Sequence, residues 1–269
     1  RSVLVLALLI VLPSHALQVS VSPTETLEIA ERSAVVKIDG KLDEAVWASL
    51  DQYDEFVVIE PDTLVKPAHA TWVSLFYNQL GLYVGVQVEQ PPETRIARLS
   101  SRDNRQIKRD SVGMVLDTSG EGRYGYWFGI NLGDAQMDGT LLPEKQFTSD
   151  WDGAWEGATS ETQTGWAAEM FIPWGVVSMP KQAGARRIGL YMERFVAYKD
   201  ERWSWPALPD TVPQFISALQ SVSVKDVQPK QQYSIFPSAS VTRDQIDGKT
   251  NYRAGADFFW RPSTNLQLT

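Results

Sequence analysis

"ATWVSLFYNQLGLYVGVQVEQ", residues 70–90, is the stretch that decides the fold. Apolar side chains alternate with other residues on both sides of a short segment, residues 78–81, that ends in glycine. Alternation at period two on each side of such a turn predicts an antiparallel β-hairpin with one face buried. The residues expected on that face are Val73, Leu75, Tyr77, Leu82, Val84, Val86 and Val88.

The same alternation recurs along the chain between glycine-containing turns. Further strands are predicted at residues 111–116, 124–132, 155–161, 166–172 and 188–196. Helical periodicity is scarce, and one helical turn is predicted over residues 42–50, with Asp43 as its cap. Several short strands at this spacing favour two facing sheets. We therefore predict an all-β protein, an antiparallel β-sandwich of jelly-roll or immunoglobulin-like type, followed by the first strands of a β-barrel.

The two ends of the chain differ from its middle. Residues 1–16 combine an apolar run with a small-x-small ending at Ala16, which predicts a secretory signal peptide. Residues 206–230 contain four prolines and are interpreted as a linker. Alternation resumes over residues 231–269, which favours the start of a membrane β-barrel whose remainder is expected past Thr269. Because the sequence opens on Arg1 rather than Met, we expect it to be a fragment.

Composition excludes several classes of function. The 269 residues include 33 acidic and 25 basic side chains, a formal charge of −8, so the basic surface of a nucleic-acid binder is not expected. The absence of cysteine excludes disulfides, thiolate metal sites and a cysteine nucleophile. After removal of a signal peptide His69 is the only histidine, so no imidazole cluster for a transition metal can form.

The segment "VVKIDGKLDEAVWASL", residues 35–50, contains the pattern I-D-G-x-L-D-E-x-x-W. It resembles the opening of family-nine carbohydrate-binding modules, a DOMON-like β-sandwich group, and the resemblance continues over residues 35–220. The closing "AGADFFWRPSTNLQLT" is similar to the first barrel strands of a bacterial outer-membrane family in which such a module precedes the barrel. The resemblance implies a non-catalytic saccharide-binding domain, in the periplasm or outer membrane of a Gram-negative bacterium, that serves carbohydrate catabolism or uptake.

Residues 148–157, "TSDWDGAWEG", are the first candidate site. In an extended chain Trp151, Gly153 and Trp155 project to one face, and two indoles separated by a glycine leave a gap for a sugar ring. The alternative is that one or both indoles fill the core. The predicted saccharide-binding residues are Trp151, Asp152, Trp155, Trp127, Asn131 and Arg102.

The same residues permit other functions. Asp150 and Asp152 have the spacing of a glycoside hydrolase pair, although any D-x-D loop has it. Hard oxygen donors for a structural calcium ion are Asp150, Asp152, Asp134 and Asp138. Haem would need His69 with Met114, Met137, Met170 or Met192, but the core-facing spacing of these methionines favours packing. A structural plug that binds no small molecule is the last alternative. We expect no enzymatic activity and no cofactor beyond calcium.

Overall fold

The described chain is built of strands. The computed structural model describes residues 25–269 except 181, 210, 228–231, 244–249, 264–265 and 269, so the predicted signal peptide lies outside the described residues. The strands are β1 (Leu27–Glu28), β2 (Ala30–Glu31), β3 (Val57–Glu60), β4 (Thr71–Tyr77), β5 (Gly81–Glu89), β6 (Ser111–Asp117), β7 (Gly125–Asn131), β8 (Gln136–Leu142), β9 (Gln146–Thr148), β10 (Glu156–Glu161), β11 (Gly165–Pro173), β12 (Ala185–Val196), β13 (Glu201–Trp205), β14 (Gln220–Lys225), β15 (Gln232–Arg243), β16 (Thr250–Ser263) and β17 (Leu266–Leu268). Short 3-10 helices lie at Trp47–Ser49, Pro92–Thr94, Pro143–Lys145 and Ile216–Ala218.

These strands form three sheets in the described part of the chain. The nine-stranded sheet runs β1-β14-β12-β6-β7-β8-β9, and β13 joins it by pairing with β12 and with β3. The five-stranded sheet runs β10-β11-β5-β4-β2, and β15, β16 and β17 form the third sheet. Most neighbours are antiparallel, but β1 pairs with β14 and β2 with β4 in parallel. The predicted all-β fold is confirmed.

The predicted hairpin is β4 and β5, which pair in register through Val73 and Val86. Its apolar face meets the nine-stranded sheet, and side chains from both sheets form one core. Burial of each such aliphatic side chain contributes roughly 1.5–3 kcal/mol, so this layer dominates the stability of the sandwich. Fully or almost fully buried members include Val73, Val84, Met114, Phe128, Trp166, Met170 and Met192.

The interpretation of residues 206–230 as a linker is wrong for their second half. Residues 220–225 form β14, which pairs with β12 through Ile188 and Val222 and in parallel with β1. None of the four prolines lies within β14, and Val222 and Val224 alternate into the core. The two sandwich sheets therefore extend beyond residues 35–220: β1 and β2 precede this range, and β14 continues past its end.

The helical turn predicted over residues 42–50 is shorter than expected. Only Trp47–Ser49 is helical, as a 3-10 turn, and its N-cap is Val46 with no side-chain cap bond rather than Asp43. Tertiary contacts hold the segment instead, because Trp47 is 4% exposed and packs edge-on to Phe76 on the outer face of the five-stranded sheet.

The alternating segment after residue 231 forms strands as predicted. β15 pairs antiparallel with β16 along its whole length, and Val241 faces Tyr252 in this register. β17 adds a third strand to the same sheet. Among the described residues no helix has both the length and the apolar character needed to cross a membrane.

Candidate functional site

Trp155, one of the two predicted stacking residues, lies in the core. It precedes β10, is 5% exposed and packs edge-on to Phe128, with ring centroids 5.6 Å apart. Its Nε1 donates a 2.7 Å hydrogen bond to Oδ2 of Asp138. The alternative in which this indole fills the sandwich therefore applies to Trp155.

Trp151 is half-buried at the edge of the same core. Its ring lies 4.9 Å from that of Tyr126 and 5.7 Å from that of Phe128. A Cβ added at Gly153 would lie 2.6 Å from Cη2 of Trp151, so the indole covers this glycine. The gap expected between the two indoles is thus filled by the ring of Trp151 itself.

Arg102 and three aspartates surround this edge. Nη2 of Arg102 donates hydrogen bonds to Oδ2 of Asp138 and, at 2.9 Å, to the carbonyl oxygen of Gly153. Its Nε lies 3.5 Å from both Asp103 Oδ2 and Asp152 Oδ1. Burial raises the pKa of Asp138, while the bond from Trp155 and the charge of Arg102 oppose that rise.

Two of the four predicted calcium ligands lie at this edge. Carboxylate oxygens of Asp103, Asp138 and Asp152 lie within 4.8 Å of one another, which is the donor set of a hard cation. The guanidinium of Arg102, however, already lies among them and supplies a positive charge. Of the four predicted ligands, Asp138 and Asp152 are brought together. Asp134 and Asp150 are not: the side chain of Asp134 accepts hydrogen bonds from Thr159, and exposed Asp150 bonds Thr148 through its backbone.

The same geometry bears on hydrolysis and on haem. Asp150 and Asp152 are both exposed, whereas a general acid needs a carboxyl whose pKa burial has raised.

The predicted haem ligand His69 lies 3.2 Å from the hydroxyl of Tyr198. Burial lowers the pKa of His69. Three of the predicted methionine partners pack inside the core: Met114, Met170 and Met192.

Trp127 lies on the opposite side of the nine-stranded sheet from Trp151 and Trp155. In β7, Tyr126 and Phe128 point into the core, so Trp127 projects from the outer face and is half-buried there. A Cβ at Gly129 would lie 2.5 Å from Cη2 of the indole, and one at Gly113 3.2 Å from its Nε1. The ring rests on a floor of two glycines that face each other across β6 and β7.

An aromatic ring and three charged groups flank the indole of Trp127. Phe147 packs edge-on at 5.6 Å, and the guanidinium of Arg105 lies 4.0 Å above Phe147 and 5.4 Å from Trp127. Nε1 of Trp127 donates a 2.9 Å hydrogen bond to Oε1 of Glu193. The other carboxylate oxygen of Glu193 lies 3.3 Å from Nη1 of Arg202. We call these five residues the Trp127 platform.

The charges of the platform are linked to one another. Arg202 also pairs with Glu60, at 3.2 Å, and the charge of Glu193 raises the pKa of Arg202 above its ordinary value. Burial lowers the pKa of Arg105, which Glu193 partly offsets. This arrangement presents an aromatic surface beside groups that accept and donate charge-assisted hydrogen bonds.

The sequence prediction located only part of the platform. It named Trp127 but paired it with Trp151, from which the sheet separates it. Asn131 shares the outer face but is fully buried, with Nδ2 donating to the carbonyl oxygen of Ala135. The other platform residues come from distant segments, and the one available signal was the alternation of β7, which sets Trp127 and Gly129 opposite Phe128.

Comparison with known proteins supports the fold. No family model matches the sequence, and no curated protein matches it. A carbohydrate binding module of family 9 from Caldicellulosiruptor kristjanssonii, solved with cellotriose, is similar at 14% identity and a TM-score of 0.51, over 77% of this chain and 95% of that one. A carbohydrate binding module of family 9 from the same organism, solved with glucose, is similar at 15% identity and a TM-score of 0.52, over 77% of this chain and 97% of that one. A putative carbohydrate-binding protein from Bacteroides uniformis is similar at 14% identity and a TM-score of 0.55, over 74% of this chain and 99% of that one. At this identity the likeness shows the fold, a sandwich of the family-nine carbohydrate-binding type.

Proposed function

We propose that the sandwich is a non-catalytic carbohydrate-binding domain and that the sugar binds at the Trp127 platform. The observation that carries the proposal is a half-buried indole on the outer face of a sheet, set on glycines and flanked by Arg105, Glu193 and Arg202. The C–H face of a pyranose packs on an aromatic face, and charged groups beside it bind hydroxyls. Binding of a sugar in this way needs no covalent bond of the sugar to be broken, so the proposed role is non-catalytic.

The solved structures that share the fold support a saccharide as the ligand. Two of them are complexes with cellotriose and with glucose, and the third is named as a carbohydrate-binding protein. Fold alone does not carry function, so the argument rests on the platform and uses the likeness to choose the ligand class. Neutral gluco-oligosaccharides are the first probes.

Titration calorimetry of the full chain with cellotriose and glucose tests the proposal. We expect Trp127→Ala to weaken binding about tenfold, because it removes an aromatic contact and the donor to Glu193. Trp72→Ala is the matched control, since Trp72 is also half-buried but lies on the outer face of the five-stranded sheet. Trp151→Ala tests the edge predicted from sequence.

The outcomes separate the two surfaces. Loss of binding in the Trp127 variant, with Trp72 and Trp151 variants near wild type, supports the platform. Loss confined to the Trp151 variant would move the site to the edge formed with Arg102 and Asp152. A wild-type protein that binds neither these probes nor a wider glycan panel would end the proposal.

We also propose that the sandwich works at the outer membrane, in the periplasm of a Gram-negative bacterium, and serves saccharide capture for catabolism or uptake. Support comes from β15 and β16, which are 12 and 14 residues long, against the about 9–11 residues that a membrane-spanning strand needs. Expression of the protein in a Gram-negative host, followed by membrane fractionation, tests this. Recovery of the protein in the soluble periplasmic fraction, with none in the outer-membrane fraction, would contradict the proposed association with the membrane.

A further inference from the structure

Two arginines on the loop between β5 and β6, Arg105 and Arg109, form no ion pair among the described residues, although Glu193 acts on Arg105 at longer range. Arg109 is 3% exposed, yet its Nε and Nη1 have no hydrogen-bond partner there. Its Nη2 donates to the carbonyl oxygen of Asn104 at 2.8 Å and lies 3.8 Å from Sδ of Met137. Arg105 is held by the rings of Phe147 and Trp127 rather than by a carboxylate.

Both arginines approach the Trp127 platform. Arg105 is part of it, 5.4 Å from the indole. Arg109 reaches Met137, which pairs with Gly129 across β7 and β8 and therefore shares the outer face of the sheet. Gly129 is the residue on which the indole rests. Two arginines that form no ion pair therefore lie around one aromatic surface.

Two other arginines, Arg202 and Arg102, do form ion pairs with acidic side chains. Arg202 has Glu193 and Glu60, and Arg102 has three aspartates. Burying a guanidinium without a counter-charge is unfavourable, and burial alone lowers the pKa of Arg109, with no acid opposing the effect. Three arginines at the platform, Arg105, Arg109 and Arg202, thus face two glutamates, Glu60 and Glu193. The described residues leave one positive charge in excess there, which favours an anionic group on the ligand.

We propose that the Trp127 platform selects an acidic saccharide, one that carries a uronic-acid carboxylate, with its ring on Trp127 and its carboxylate paired to Arg105. The planar fork of a guanidinium matches a carboxylate with two parallel hydrogen bonds. Arg109 acts beneath the surface, where its charge adds to the attraction through the low-dielectric sheet. This inference rests on the proposed function and names the ligand class of the same site.

A matched pair of probes tests it: cellotriose and its form oxidised at C6, in which glucuronate replaces glucose. Calorimetry on the full chain measures the ratio of the two dissociation constants. We expect the acidic form to bind about tenfold more tightly at low salt, with the preference shrinking as sodium chloride screens the charges. Arg105→Gln should bring the ratio close to one, and Arg105→Lys, which keeps the charge but not the fork, should restore part of it.

Arg186→Gln is the control. Arg186 is also 3% exposed and has an unpartnered Nη1, but it pairs with Val224 near the start of β12, away from the platform, so the preference should persist in this variant. Equal binding of both probes by the wild type overturns the inference and leaves the proposed function standing. Binding of neither probe, and of no member of the wider glycan panel, overturns the proposed function. Tighter binding of 6-O-sulfated cellotriose than of the oxidised form overturns the choice of a carboxylate.

Discussion

Replacement of Glu169 by glutamine is expected to change how the stability of the protein depends on pH. Glu169 is fully buried beneath the segment that carries the I-D-G-x-L-D-E-x-x-W pattern. Its Oε2 accepts hydrogen bonds from the backbone N–H groups of Asp39 at 3.0 Å and Gly40 at 2.9 Å. Its Oε1 accepts a hydrogen bond from the indole Nε1 of Trp47 at 3.0 Å. One carboxylate thus fixes three points of the motif.

The size of the effect follows from the pKa of this carboxyl. Burial raises the pKa of Glu169 from 4.5 to about 7, although the hydrogen bonds from Asp39, Gly40 and Trp47 oppose the rise. Because the folded protein takes up the proton at a higher pH than the unfolded chain, the free energy of unfolding rises as pH falls from about 7 to about 4.5. The full difference is about 3 kcal/mol, since each pKa unit corresponds to about 1.4 kcal/mol.

Urea unfolding of the full chain, followed by tryptophan fluorescence at pH 5 and pH 7.5, measures this contribution. Asp138, whose pKa burial also raises, contributes with the same sign in every variant, so the difference between wild type and Glu169→Gln isolates Glu169. We expect the wild type to gain more stability than the glutamine variant on going to pH 5. Glu156→Gln, an exposed glutamate on β10, is the control and should behave as wild type.

Glu169→Ala removes the acceptor itself and should cost about 3–5 kcal/mol at both pH values. The backbone N–H groups of Asp39 and Gly40 lose their partner, and Nε1 of Trp47 keeps only its 3.2 Å bond to Oε2 of Glu44. If wild type and Glu169→Gln respond equally to pH, the argument that burial sets the pKa of this carboxyl is refuted. If Glu169→Ala is as stable as wild type, the motif is not held by Glu169.

Three further outcomes are expected. Gly129→Ala should weaken saccharide binding with little change in melting temperature, because the new methyl group displaces the indole of Trp127; unchanged calorimetric affinity would argue against the glycine floor. Asp138→Ala should destabilise the sandwich by about 3–5 kcal/mol in urea unfolding, since Arg102 and Trp155 lose a buried partner, and a cost below about 1 kcal/mol would contradict this. Calcium should raise the melting temperature of Arg102→Ala more than that of wild type, because the arginine occupies the cation position; a larger rise in wild type would reverse that assignment.

The sequence predicted the features that depend on local periodicity. The hairpin of β4 and β5 follows from alternation on both sides of a short turn that ends in Gly81. β14 was missed because the surrounding prolines outweighed a short alternating run in which Val222 and Val224 are the only apolar residues. The composition of residues 206–230 as a whole did not reveal β14, because that strand is only six residues long.

The site was harder to predict because it joins segments that are distant in the chain. Glu193 lies 66 positions from Trp127, and only the pairing of β12, β6 and β7 brings the two together. At the sandwich edge, treating residues 151–155 as extended put Trp151 and Trp155 beside an open gap. The structure shows that Gly153 allows the ring of Trp151 to fold over it, an outcome that spacing alone does not distinguish from a gap.

The central claim is that a saccharide lies on the indole of Trp127. Nuclear magnetic resonance of the full chain with ¹⁵N-labelled tryptophan resolves the indole N–H signals. The signal that is missing in Trp127→Phe is that of Trp127. Titration with cellotriose or its oxidised form should shift the Trp127 signal in proportion to bound ligand and leave the buried Trp155 signal nearly unmoved. A titration that shifts the Trp151 signal while the Trp127 signal stays fixed would contradict the account.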